Sequence, residues 1–120
     1  MAGARRRRLS RSAEFDRVYR EGRSHAGRHL VLYSFPREGD DDSDPRLGLS
    51  VGRKVGGAVE RNKVKRLLRA AFWQSEERLP PGHDFVVVAR ADAGELAERE
   101  GLAGIKSELG ELLDKAGSHT

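Results

Sequence analysis

Apolar residues recur along the chain with several spacings, and each spacing predicts its own kind of element. From residue 58 to 74 they return every three or four positions, which places them on one buried stripe of a helix. Residues 29–35 are rich in β-branched and aromatic side chains and residues 46–51 alternate polar with apolar, so both predict strands, which we expect to pair as a hairpin. After Asp84, five apolar residues follow without a break, the pattern of a strand covered on both faces.

Shorter patterns fill the rest of the chain. Residues 12–20 carry apolar and aromatic side chains on one side, which predicts a short helix that stops at Gly22. A brief strand is expected near residues 23–25. Leucine and isoleucine between residues 96 and 113 predict one or two final helices, although three glycines in that stretch lower its helix propensity.

The predicted order is helix, three strands, helix, strand, helix. It indicates an α+β fold, a two-layer sandwich around a sheet of about four strands. The helix of residues 58–74 connects the strand ending at Val51 to the strand beginning near Phe85, and such a crossover makes these two strands parallel.

Length and local composition define one domain with two short ends. A chain of 120 residues suits a single core, which we place at residues 11–116, with a tail at residues 117–120. Residues 1–10 contain four consecutive arginines and predict a flexible arm that contributes nothing to the core. Residues 37–45 contain five acidic residues and predict an exposed loop.

Charge and cysteine content narrow the function. The formal net charge is +4 and the pI is near 9.8, which favours a polyanionic partner, nucleic acid before anionic membrane. The chain has no cysteine, so disulfides, thiolate metal sites and a cysteine nucleophile are excluded. Because no apolar stretch is long enough for a secretion signal or a membrane span, we expect a cytoplasmic protein.

The positive charge is concentrated in one segment. Between Arg53 and Arg69 there are seven basic residues and a single acid. On the predicted helix Arg61, Lys65 and Arg69 stack four residues apart without acidic partners, and their mutual repulsion destabilises an isolated helix. A face that is merely solvated mixes both signs, so this stripe predicts a polyanion-binding surface. The glycines that precede the helix allow the backbone to approach a phosphate closely.

Residues for an independent active site are not found in the sequence. The four histidines are scattered, no metal-binding motif surrounds them, and the phosphate-binding Walker pattern is missing. We therefore predict no catalytic residue and no metal ligand in the protein. Three aromatic residues, Phe15, Tyr19 and Tyr33, are candidates for stacking unpaired bases, although position alone favours the core for each.

The run R-N-K-V-K-R-L-L-R at residues 61–69 resembles the motif of the bacterial ribonuclease P protein component. The resemblance extends over roughly residues 9–92, through the aromatic first helix, the strand of residues 29–35, the R-L-G-L-S-V run that leads into residue 58, and the late strand at residues 85–90. Lys63 departs from the pattern, because the family usually has a second arginine after the asparagine. Lysine keeps the charge there but loses bidentate hydrogen bonding.

The resemblance implies the protein subunit of a ribonucleoprotein endonuclease that removes the 5′ leader of precursor tRNA. The catalytic RNA subunit performs the chemistry with Mg²⁺, so the metal is expected to be bound mainly by RNA and no stable cofactor by the protein alone. It also implies a left-handed crossover at the basic helix, against the general preference. The residues implied to contact RNA are Arg53, Lys54, Arg61, Asn62, Lys63, Lys65, Arg66 and Arg69. Those implied to form a cleft for the single-stranded leader are Phe15, Tyr19 and Tyr33.

Two other functions stay open at this point. The same basic helix suits a ribosome-associated or DNA-binding module, and a self-sufficient nuclease is the third candidate. All three would bind phosphates and depend on salt in the same way. The RNA that copurifies with the protein, or cleavage by the protein alone, separates them.

Overall fold

The computed structural model describes residues 7–9, 12–37 and 44–117. Its regular elements, in chain order, are β1 (Arg7–Arg8), α1 (Ser12–Glu21), β2 (Arg23–Ala26), β3 (Leu30–Pro36), β4 (Arg46–Val51), α2 (Ala58–Gln74), β5 (His83–Ala89) and α3 (Ala93–Gly117). Within α3 the backbone leaves helical geometry at Gly101, where φ is +62°. The predicted helix at residues 58–74 is confirmed at both ends, and most of the predicted acidic loop lies outside the described residues.

The strands form one sheet in the order β1-β4-β5-β3-β2. β5 occupies the centre, parallel to β4 and antiparallel to β3. The predicted parallel pairing is therefore confirmed, whereas the predicted hairpin of β3 with β4 is wrong. β5 separates them because its side chains are buried on both faces, which favours the middle of the sheet.

Helices cover both faces of the sheet. On one face α2 and α3 bury the larger core, which includes Leu32, Phe85 and Val87. On the other face α1 packs through Val18 against Val86. The α+β class is confirmed, and α1 adds a short helix to the predicted two-layer arrangement. The handedness of the crossover stays a prediction.

Leu9 corrects the prediction for the N-terminal arm. It is only 4% exposed and belongs to the small core under α1. Its backbone amide donates to the carbonyl of Leu47 at 2.9 Å, next to the parallel pairing of β1 with β4. The segment was predicted to contribute nothing to the core because its arginines dominate the composition, but one apolar side chain is enough to anchor it. Residues 1–6 and 118–120, in the predicted arm and tail, lie outside the described residues.

A carboxylate from α3 fixes the turn between β2 and β3. Glu108 accepts hydrogen bonds from the backbone amides of His29 and Leu30 at 2.7 and 2.8 Å. Its other oxygen lies 2.7 Å from Nδ1 of His29. These contacts satisfy amides at the start of β3 and join the turn to the helix packed on the sheet.

Candidate nucleic-acid interface

The helix α2 separates its apolar and basic side chains as its sequence predicts. Val64, Leu68 and Phe72 are almost fully buried against the sheet and α3. Asn62, Arg66 and Arg69 are exposed, while Arg61 and Lys65 are partly buried along their stems. Nε of Arg61 is buried and has no acceptor among the described residues. The stripe therefore presents several guanidinium and ammonium groups on one side of the molecule.

Lys63 differs from the other basic residues of α2. Its ammonium group lies 3.3 Å from the carboxylate of Glu98, on α3. The side chain is 40% exposed and the partner 76%, so solvent weakens this ion pair. The side chain of Lys63, one of the predicted RNA contacts, therefore extends toward α3.

Arg53 and Lys54 lie in a 3₁₀ turn between β4 and α2. The chain then passes through Gly56, whose φ of +153° lies in a region that side chains rarely adopt. A Cβ on Gly56 would also lie 2.8 Å from Cβ of Glu60. Glycine at this position allows the chain to pass directly from the basic turn into α2.

The basic turn borders a concavity of about 800 Å³ at one end of the sheet. Arg28 and Arg90 line it together with Arg53 and Lys54, next to Ser50 and Val88 on the sheet. The sequence analysis did not include Arg28 or Arg90 in the interface. Their positions next to strand ends could have indicated a place in the interface. β4 and β5 are parallel and β3 is antiparallel to β5, so β4 and β5 end where β3 begins, at the same end of the sheet. Arg28 lies just before β3 and Arg90 just after β5.

The three predicted leader-cleft residues form one cluster on the face covered by α1. The ring centroids of Tyr19 and Tyr33 are 4.9 Å apart in an edge-to-face arrangement, and those of Phe15 and Tyr19 are 6.3 Å apart. Tyr19 is 38% exposed, whereas Phe15 and Tyr33 are partly buried. Two rings of the cluster are thus partly buried, and the third presents an aromatic surface to solvent.

Phe35 extends this cluster and was missed by the sequence analysis. It lies two residues after Tyr33 on the same face of β3, where side chains alternate between buried and partly buried. Arg17 of α1 packs over its ring, with the guanidinium carbon 5.3 Å from the ring centroid. The alternation of side chains along β3 was enough to predict that Phe35 lies on the same face as Tyr33. Nothing in the sequence indicated its contact with Arg17.

A buried ion cluster lies next to Phe35 on the face covered by α1. Asp84, whose side chain is fully buried, accepts two hydrogen bonds from Arg46 at 2.8 Å and one from Arg37 at 2.7 Å. Arg46 also donates to Glu14 of α1 at 3.0 Å, which joins the helix to the sheet.

The arginines decide the protonation of Asp84. Burial by itself raises the pKa of Asp84, but the hydrogen bonds and charges of Arg46 and Arg37 outweigh it and hold the pKa below the ordinary aspartate value. The hydrogen bond from Arg46 to Asp84 raises the pKa of that guanidinium against the effect of its burial. Asp84 and Arg46 are therefore both charged near neutral pH.

The two candidate surfaces lie on opposite sides of the sheet. The stripe of α2 belongs to the helical layer with α3, and the aromatic cluster lies under α1. The turn with Arg53 and Lys54 connects them around the end of β4. The basic stripe and the aromatic cluster therefore share no side chain.

Comparison with known proteins identifies the family. The sequence model of the family Ribonuclease P matches residues 4–117. The chain belongs to the ribonuclease P protein family. It is therefore the protein component of an endoribonuclease holoenzyme, with a role in tRNA 5′ processing.

Bacterial relatives match this chain over most of their length. The chain is 45% identical over 109 residues to the ribonuclease P protein component of Shouchella clausii, covering 91% of this chain and 84% of the relative. It is 41% identical over 109 residues to that of Halalkalibacterium halodurans, covering 91% and 87%.

Solved structures of this family share the fold. The RNase P protein of Thermotoga maritima superposes with a TM-score of 0.79 at 32% identity, covering 92% of this chain and 97% of the other. The RNase P protein of Staphylococcus aureus gives 0.77 at 33% identity, covering 91% and 94%. In the described part of this chain, no helix has the length and apolar character needed to cross a membrane.

Proposed function

We propose that the protein binds two RNA segments of the ribonuclease P reaction, the catalytic RNA through α2 and the 5′ leader of precursor tRNA through the cleft under α1. The observation that carries this proposal is the separation of a basic stripe and an aromatic cluster on opposite sides of one sheet. Guanidinium and ammonium groups bind structured RNA through its phosphates, whereas aromatic rings bind unpaired bases by stacking.

The stripe of α2 suits the catalytic RNA because its charges are exposed and not neutralised by neighbours on the helix. Arg66 and Arg69 have no ion pair within the described chain that would compete with a phosphate. Nε of Arg61, buried without an acceptor, is a donor that a bound phosphate would satisfy after a small shift of the side chain. Lys63 takes a smaller part in this surface, because Glu98 already pairs with it.

The cleft under α1 suits a single strand. Tyr19 exposes part of its ring beside Tyr33, and stacking on such rings contributes about 1–3 kcal/mol per base. The concavity at the end of the cleft adds Arg53 and Lys54, which provide charge for the leader backbone where it leaves the aromatic surface. The proposed path of the leader thus runs from the basic turn onto the aromatic cluster.

Mg²⁺ belongs to the proposed holoenzyme rather than to the protein. Among the described residues no three histidine or acidic side chains come together in a way that could hold a metal ion. We propose that Mg²⁺ is bound mainly by the RNA of the holoenzyme. The role proposed for the basic residues is to reduce repulsion between the two RNAs, which lowers the Mg²⁺ concentration needed for assembly.

A cleavage assay tests the proposal. Precursor tRNAs with leaders of increasing length are cleaved by the catalytic RNA with and without the protein, at several Mg²⁺ concentrations. We expect the protein to raise substrate affinity as the leader lengthens and to lower the Mg²⁺ requirement. If affinity and Mg²⁺ requirement are both unchanged by the protein, the proposal is wrong.

Sequencing of RNA that copurifies with the protein tests its partner and location. One abundant structured RNA supports the proposed assembly and the cytoplasmic location that a precursor tRNA substrate implies. Ribosomal RNA or DNA would instead support a general binding module using the same α2 surface. Cleavage of precursor tRNA by the protein in the absence of RNA would support a self-sufficient nuclease.

A further inference from the structure

Arg17 lies at the end of the cleft opposite the basic turn, where β3 ends and β4 begins. Its guanidinium carbon is 5.3 Å from the centroid of the Phe35 ring, inside the range of about 6 Å for a cation–π contact. The side chain is 43% exposed, so part of the guanidinium is open to solvent. A planar cation that packs over an aromatic ring and that solvent partly reaches is suited to bind a further planar group.

Of the three described arginines that pair with Asp84, Arg17 has the longest ion pair. Its nearest acid is Asp84, at 3.7 Å, beyond hydrogen-bond distance. Both oxygens of Asp84 already accept hydrogen bonds from Arg46, and one of them also accepts from Arg37.

The hydrogen-bond donors of Arg17 are also poorly used. Its Nε is buried and has no acceptor in the part of the chain that the structure describes. Arg37, by contrast, donates to the carbonyl of His83 at 3.0 Å and to that of Asp44 at 3.0 Å. A guanidinium with a buried, unused donor and only a long ion pair, placed beside the proposed leader cleft, points to an anionic ligand.

We propose that Arg17, packed over the Phe35 ring, is a nucleotide-binding position that extends the leader cleft beyond Tyr33. This proposal rests on the proposed function of the cleft. An unpaired base stacks on the open face of the guanidinium, and the free edge donates to the adjacent phosphate. Stacking on a guanidinium plane tolerates any base, so the position recognises a single-stranded ribonucleotide without selecting its sequence.

The position of the site predicts a dependence on leader length. Phe35 follows Tyr33 by two residues of the strand, which is about 7 Å. From the basic end of the sheet at Ala89 to Asp84, the neighbour of Phe35, β5 spans about 17 Å. Only a leader that has passed Tyr33 reaches Arg17, so shorter leaders gain nothing from it.

The experiment measures substrate affinity against leader length in the reconstituted holoenzyme. Leaders are lengthened one nucleotide at a time, and affinity is taken from the substrate dependence of single-turnover cleavage. The variants are Arg17→Ala, Arg17→Lys and Phe35→Leu. Phe35→Leu touches no ion pair, so it tests the site even if loss of Arg17 disturbs the cluster around Asp84. Arg20→Ala is the matched control, because it removes another arginine of α1 that is 71% exposed and, within the described residues, pairs with its neighbour Glu21.

For the unmodified protein we expect affinity to rise with leader length and then to level off. With Arg17→Ala or Phe35→Leu, substrate affinity should stop rising at a shorter leader. It should then be about 5-fold or more weaker for long leaders and unchanged for short ones. Arg17→Lys should resemble Arg17→Ala, because the ammonium keeps the charge but cannot stack as a plane. Arg20→Ala should follow the unmodified curve.

Each remaining outcome has a definite meaning. If Arg17→Ala and Phe35→Leu level off at the same leader length and affinity as the unmodified protein, Arg17 is not a nucleotide site and the inference is overturned. Full rescue by Arg17→Lys overturns the stacking contact. If no leader length changes the affinity in any protein, the cleft does not bind the leader, and it is the proposed function that fails.

Discussion

Asp84 shows how a single residue sets the shape of the cleft. It is a charged side chain with no exposed surface, held at the base of the α1 face by Arg46 and Arg37. Removing one partner of a buried ion pair leaves the other charges unpaired and costs about 3–5 kcal/mol. We therefore expect Asp84→Asn to lower the free energy of unfolding by that amount near pH 7.

The pKa of Asp84 gives this effect a pH dependence. Because the folded-state pKa lies below the unfolded value of about 3.9, the contribution of Asp84 is complete above about pH 4 and is lost as the pH falls through the folded-state pKa. Urea unfolding from pH 7 to pH 2 should show the difference between the unmodified protein and Asp84→Asn shrinking below about pH 4. A difference that stays constant over this range would contradict the assigned ionisation.

Lys63 and Arg66 lie about one turn apart on α2, but we expect their substitution to affect RNA binding to different degrees. Arg66 is exposed and unpaired within the described chain, whereas Lys63 pairs with Glu98 at 3.3 Å. Arg66→Ala should weaken binding of the catalytic RNA by roughly 10-fold and reduce the slope of log affinity against log salt by about 1. Lys63→Ala should change both quantities less. Titrations at several salt concentrations measure this, and a larger loss for Lys63→Ala would mean that the ion pair opens to bind RNA.

At the scale of elements, the packing of α1 on β4 depends on Gly48. A Cβ at this position would lie 2.6 Å from Cζ of Phe15 and 3.1 Å from Cβ of Leu9. Gly48→Ala should push α1 away from the sheet, lower stability by about 1–3 kcal/mol and weaken binding of long leaders more than binding of the catalytic RNA.

The control for Gly48→Ala is Gly52→Ala. A Cβ on Gly52 meets nothing within 4 Å, and its backbone is extended, with φ of −87°. Thermal unfolding should therefore separate the two variants clearly. Equal stability of both would show that the contact between α1 and β4 adapts without cost.

The elements themselves were largely predictable from the sequence, but their neighbours in the sheet were not. The apolar period of α2 and the apolar run of β5 are local properties of the chain. The position of β5 between β3 and β4 depends on what covers both of its faces, which no local pattern contains. A hairpin is the simplest arrangement for two consecutive strands, and here burial of β5 favours another one.

The candidate site was likewise only partly predictable from the sequence. The basic stripe of α2 follows from periodicity, whereas the aromatic cleft residues were implied by the family resemblance, and the structure brings Phe15, Tyr19 and Tyr33 together. The contact of Arg17 with Phe35 and the cluster around Asp84 join residues from α1, β3, β4 and β5. Such contacts depend on tertiary structure, because their members are distant in the sequence.

At the scale of the whole molecule, the central claim is that two RNA surfaces act independently on opposite sides of the sheet. α2 and α3 form one layer, α1 forms the other, and β5 lies between them. Because the surfaces share no side chain, changes in one should leave binding at the other unaltered, apart from effects on folding.

The most direct test compares Arg66→Ala/Arg69→Ala with Tyr19→Ala/Tyr33→Ala in the same holoenzyme, after thermal unfolding has shown that both remain folded. For each, one titration measures affinity for the catalytic RNA and a second measures the gain in substrate affinity from a long leader. We predict that the arginine variant loses the first and keeps the second once the complex is saturated, whereas the tyrosine variant loses the second and keeps the first. If both variants lose both quantities in the same proportion, the two surfaces are one binding site and the claim is contradicted.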